Sequence, residues 1–145
     1  MPVTRVEVTP RQGEGMRDVR GDVVRRQLKA DHNVDVAHVR SICGYLIQGE
    51  TSADAIADRV DDLFADPIIE QGATNTILLS TGMFADAPDA VITVGFKPGV
   101  TDNPGKAATD GFLTLFPSDA EAKIATYLTY VFYGLPDDCD ESWLA

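Results

Sequence analysis

The chain has 145 residues, an apolar share of 44% and a formal charge of −11. That length fits one domain or two small ones packed together, and the apolar share is enough for a core. A surface this acidic repels phosphate backbones, which argues against a nucleic-acid partner, and no apolar run approaches the ~20 residues that span a bilayer.

Residues 3–9 alternate Val3, Arg5, Glu7 against Thr4, Val6, Val8, the pattern of a half-buried strand. Pro10–Gly15 is turn chemistry. Met16, Val19, Val23, Val24 and Leu28 then fall at helical spacing, with Arg17, Arg20, Arg25, Arg26 and Lys29 mainly on other faces. Asp18 is placed to cap this helix, which fades by Asp31-His32-Asn33. Val39 to Ile47 reads as the second strand. Val39, Cys43, Tyr45 and Ile47 share one face, broken only by Ser41, and Gly49 ends it. Thr51 or Ser52 caps a helix with the stripe Ala53, Ile56, Ala57, Val60, Leu63 and Phe64. Asp66-Pro67 stops it, because a residue before proline is pushed out of helical dihedrals. Thr76 to Leu79 is expected to be a short third strand.

The second half repeats the first. Val6 to Gly13 and Ile92 to Gly99 have equal spacing, as do Asp18 to Gly21 and Asp102 to Gly105. A helix carrying Ala108, Phe112, Leu115 and Phe116 runs to Pro117. In the strand Ile124–Tyr133, Ile124 falls on Val39, Leu128 on Cys43, Tyr130 on Tyr45, Phe132 on Ile47 and Gly134 on Gly49. Even the flaw recurs, Thr126 opposite Ser41. We read residues 1–80 as one unit, 81–89 as a small, polar, proline-bearing linker and 90–145 as a second unit. The fold class expected is α+β: two βαβαβ-like units, an antiparallel sheet and helices on one face, with the second unit truncated. Asp137–Ala145 resembles the acidic first turn of its second helix, with Trp143 and Leu144 opening an apolar stripe. A helix cut after one turn has no stability of its own. The expectation is a fragment of something longer, unstable or self-associating alone.

The candidate ligand-binding residues are Lys97, Asp102, Asn103 and Lys106, in a glycine-bearing loop opening a helix. The order of a Walker A loop is absent, and Asp102 would repel a phosphate. The competing reading is a strand-to-helix turn capped by Asp102 or Asn103. His32 and His38 lack ligand spacing, and Asp58, Asp61, Asp62 and Asp66 lack that of a calcium loop. No metal is expected. Cys43 lies among apolar strand residues and reads as a core thiol. Two cysteines without a CxxC partner and no apolar leader at the N-terminus point to the cytoplasm. No residue set reads as catalytic.

VGFKPGVTDNPGKAA in the second half and LFADPIIE in the first resemble the PurS-type small subunit of phosphoribosylformylglycinamidine synthase. They resemble more closely the tandem PurS-like region preceding the synthetase domain in longer single-chain versions. The first unit departs from the pattern, with MRDVRG where the second has VTDNPG. The resemblance implies a place in purine biosynthesis, where the full enzyme converts a formamide to an amidine with ATP, magnesium and ammonia from glutamine. It implies a non-catalytic module with no cofactor of its own, bridging or steadying a synthetase domain and a glutaminase subunit. Self-pairing through open sheet edges is also expected. The alternative from another class is a small-molecule-sensing module with its ligand near Gly95–Lys106.

Overall fold

In a computed structural model, described for residues 2–13, 15–81, 84 and 87–136, five strands form one antiparallel sheet. The chain runs β1 (Val3–Pro10), α1 (Val19–His32), β2 (His38–Gln48), α2 (Ala53–Ala57), α3 (Val60–Leu63), β3 (Glu70–Thr74), a 3₁₀ turn (Leu78–Ser80), β4 (Ala90–Gly95), α4 (Asn103–Leu115) and β5 (Lys123–Tyr133). The sheet order is β3-β1-β2-β5-β4, and the α+β class expected from the sequence is what the chain adopts.

The two strand–helix–strand halves meet at the centre, where β2 pairs with β5. Val39 pairs with Phe132 and Ile47 with Ile124, so residues matched in the sequence exchange partners across the seam. Cys43 faces its own match, Leu128, which places a local pseudo-twofold between them. The outer pairings agree as well: Val6 sits opposite Tyr45, and Ile92 opposite Tyr130.

Among the described residues, α1 to α4 all cover one face. Even positions of β1, β4 and β5 and odd positions of β2 point toward them, as period-two alternation requires. One cluster joins Val6, Val8, Ile47 and Ile124 to Ile56 and Val60 of the short helices and Phe112 of α4. A second joins Leu28 of α1 to Val36, Val39 and Phe132. On the opposite face, Ile42 and Val131 are sealed by Leu78, with Leu79 and Phe84 packed beside them.

Two local expectations change. The third strand is Glu70–Thr74, whereas Thr76–Leu79 leads into the 3₁₀ turn. Asn75 is the reason: it takes a left-handed conformation (φ 53) and exchanges two hydrogen bonds with Arg5, its amide donating to the Arg5 carbonyl and its Oδ1 accepting the Arg5 amide. That closes the strand and turns the apolar run over the bare face. Gly72 lets β3 approach; a Cβ there would lie 2.8 Å from Val60 Cγ1. The helix expected from Ala53 to Phe64 breaks at Asp58-Arg59 into α2 and α3. Asp54, Asp58 and Asp62 stand one turn apart, and like charges at that spacing weaken a helix. Asp137–Ala145, with Cys139, Trp143 and Leu144, lies outside the described residues.

Candidate functional site

Asp18 and Asp102 each tie a helix to the neighbouring strand in the same way. Asp102 Oδ1 accepts the Gly105 amide at 2.7 Å and the Thr126 hydroxyl at 2.8 Å, while Oδ2 accepts the Thr126 amide at 2.7 Å. Asp18 does the same with Gly21 (2.8 Å) and with the hydroxyl and amide of Ser41 (2.7 and 2.6 Å). One carboxylate therefore caps the helix and fixes the strand beneath it. This explains the polar interruption in each apolar strand face. The glycines follow from the same closeness: a Cβ on Gly105 would lie 2.6 Å from the Ile124 carbonyl, and one on Gly21 would overlap the Val39 carbonyl.

Of the sequence candidates, Asp102 is thus held by Gly105 and Thr126. Lys97 sits in the turn after β4, Asn103 opens α4 and Lys106 follows on that helix; all three are exposed, and neither lysine makes an ion pair among the described residues. Their chain neighbours Phe96 and Pro104 line a cleft of about 260 Å³ with Arg20, Cys43, Tyr45 and Val94, and none of the three candidates is in that lining. It lies on the helix-covered face beside the pseudo-twofold. Burial raises the Cys43 thiol above its usual value, with Arg20 opposing weakly, so the sulfur stays protonated and a poor nucleophile at neutral pH. His32 ends α1 and His38 opens β2; no group of three His, Cys, Asp or Glu that could hold a metal occurs among the described residues.

Sequence reasoning missed a polar row on the opposite face. Glu7, Gly44, Tyr127 and Gly95 lie side by side on β1, β2, β5 and β4. Gly44 carries no side chain, and a Cβ there would overlap the Tyr127 ring. The ring lies across β2, and its hydroxyl donates to Glu7 Oε2. Glu7 Oε1 accepts the Leu78 amide at 2.8 Å, leaving Glu7 only 3% exposed. Arg5 Nη1 approaches the Tyr127 hydroxyl at 3.4 Å, with its guanidinium 5.7 Å from the ring centre. The available signal was Gly44 itself, a glycine in the middle of a strand, which marks a close approach.

Asp119 is a further structural carboxylate. It accepts the amides of Glu50 and Thr51 and the Thr51 hydroxyl, pinning the loop after β2 to the turn before β5. The Thr51 hydroxyl and these amides hold its carboxyl below the ordinary 3.8, against the opposing effect of burial.

The arrangement defines an open-faced α+β sandwich, with helices on one side of the sheet and, among the described residues, a single chain segment crossing the other. No protein-family model matches the chain, and no curated protein sequence matches it. A solved chain from the structure of PurLQS from Thermotoga maritima aligns with 53% of this chain and 100% of its own, at 17% identity and a TM-score of 0.37. That is a weak likeness of fold. No helix among the described residues is long and apolar enough to cross a membrane.

Proposed function

We propose that the chain is a non-catalytic assembly region of phosphoribosylformylglycinamidine synthase, acting in the cytoplasm in purine biosynthesis. Residues 1–80 and 90–145 are its two PurS-like units, joined by residues 81–89. In this reading ATP, magnesium and the glutamine-derived ammonia belong to the synthetase and glutaminase parts, and this chain steadies their contact.

The observation that carries the reading is a bare surface at β4. Val6 and Val8 of β1 are 0% and 2% exposed beneath α2 and α3, and β3 covers the outer edge of β1. Their matches on β4 are Ile92, which is half-buried, and Val94, which is 51% exposed. No strand flanks the outer edge of β4 among the described residues, and Ala90–Gly95 carries no charge or proline to discourage pairing. An unguarded apolar edge of this kind suits a permanent contact.

The test is co-purification of the tagged chain with the synthetase and glutaminase polypeptides of the same genome. Wild type should co-elute with at least one of them, and Val94→Glu should abolish this without lowering the chain's own melting temperature. Failure of the wild type to bind either polypeptide would overturn the reading. The second reading, a small-molecule-sensing module, is favoured by the helix-side cleft beside Gly95 and Pro104.

A further inference from the structure

The face opposite the helices holds a second cleft, of about 350 Å³, between the Ile77–Leu79 crossing and β4. That size suits a small ligand. Its walls divide by chemistry. Arg5, Glu7 and Tyr127 supply its charged and hydroxyl groups, while Ile42, Val91 and Thr93 add uncharged surface. These two sets occupy matched positions of the two halves: Arg5 with Val91, Glu7 with Thr93, and Tyr127 with Ile42. At the clamp positions the halves agree, Asp18 with Asp102 and Ser41 with Thr126. At the cleft one half is charged and the other is not.

Arg5 and Glu7 stand two residues apart on the same face of β1 but form no ion pair. The Tyr127 hydroxyl lies between them, donating to Glu7 and receiving Arg5. Burial and the Glu7 carboxylate push the phenol well above its usual pKa, which keeps that proton on the tyrosine. Only one guanidinium N–H of Arg5 has a partner among the described residues. Each Glu7 oxygen accepts one hydrogen bond and retains a free lone pair. A cation and an anion are thus held apart by a phenol at the edge of an apolar pocket.

We propose that this cleft binds a free α-amino acid with an apolar side chain, its carboxylate on Arg5, its ammonium on Glu7 and its side chain against Ile42 and Val91. A ligand bearing only one of the two charges would leave Arg5 or Glu7 without an opposite charge in a partly desolvated site. The proposal does not rest on the assembly reading, and the two fail in separate experiments.

The test is isothermal titration calorimetry of the full chain with L-leucine, isoamylamine and 4-methylpentanoate as probes. L-leucine should give a saturable isotherm, with each single-charge analogue weaker by about tenfold or more, the usual cost of losing a charged hydrogen bond. Arg5→Met and Glu7→Gln should each weaken L-leucine by about tenfold or more. Arg5 is only half-buried, so Arg5→Met decides the matter if Glu7→Gln fails to fold. No saturable heat at millimolar L-leucine, equal binding of either analogue, or wild-type affinity in Arg5→Met would overturn the proposal.

Discussion

Replacing Asp102 with alanine removes a cap and a strand anchor in one step. The side chain accepts from Gly105 at the start of α4 and twice from Thr126 on β5. Loss of an N-cap costs about 1 kcal/mol. Leaving the partly buried Thr126 amide without an acceptor costs about 1–3 kcal/mol more. The sum is about 2–4 kcal/mol, and at this chain length each kcal/mol lowers the melting temperature by about 2–4 °C. A fall of about 5–15 °C is expected by circular dichroism, with a matching drop in urea midpoint and an unchanged slope. Asp18→Ala should behave alike, since it holds Gly21 and Ser41 in the same geometry. Asp110→Ala, on the exposed side of the same helix, is the control and should stay within about 0.5 kcal/mol. If Asp102→Ala also stays within that margin, the carboxylate is not holding helix to strand.

Other substitutions follow from the same contacts. Gly21→Ala forces a methyl into the Val39 carbonyl and should cost about 2 kcal/mol or more, whereas Gly95→Ala meets no atom within 4 Å and should be neutral or slightly stabilising in a thermal melt. Tyr127→Phe leaves the buried Glu7 carboxylate short of a donor, a loss of about 1–3 kcal/mol by urea titration; a wild-type midpoint would show that the hydroxyl is not needed. The Asp119 carboxyl is held below its ordinary 3.8 in the folded chain, so folding binds its ionised form more strongly. Its stabilisation is complete above that ordinary value and fades as pH falls through the lower folded value. The stability gap between wild type and Asp119→Asn should therefore shrink on acidification, and a gap independent of pH between about pH 6 and about pH 2 would refute the assignment.

Much of this architecture was legible because it rests on period and spacing. The strands β1, β2 and β5 and the helices α1 and α4 announce themselves by alternation, by an apolar stripe and by an aspartate three residues before a glycine. The purpose of that aspartate was only half legible. A sequence shows a cap, but the second hydrogen bond, to Ser41 or Thr126, belongs to tertiary structure. Glu70–Thr74 has weak strand character and pairs only because β1 offers an edge and Gly72 fits under Val60. Thr76–Leu79 looks the better strand, yet Asn75 turns it across the open face. The Glu7–Tyr127 row was hidden for a similar reason. Alternation marks Glu7 as facing away from the helix-side core, and only the crossing segment and the shelf at Gly44 make that place buried.

If β4 is the surface through which the proposed assembly forms, amide hydrogen exchange reads it directly. In the isolated chain, Ala90–Gly95 should exchange faster than the central strands β2 and β5, as an edge paired on one side does. On addition of the synthetase and glutaminase polypeptides its protection should rise by about tenfold or more while β2 keeps its own rate. Co-elution with no added protection at Ala90–Gly95 would contradict the claim.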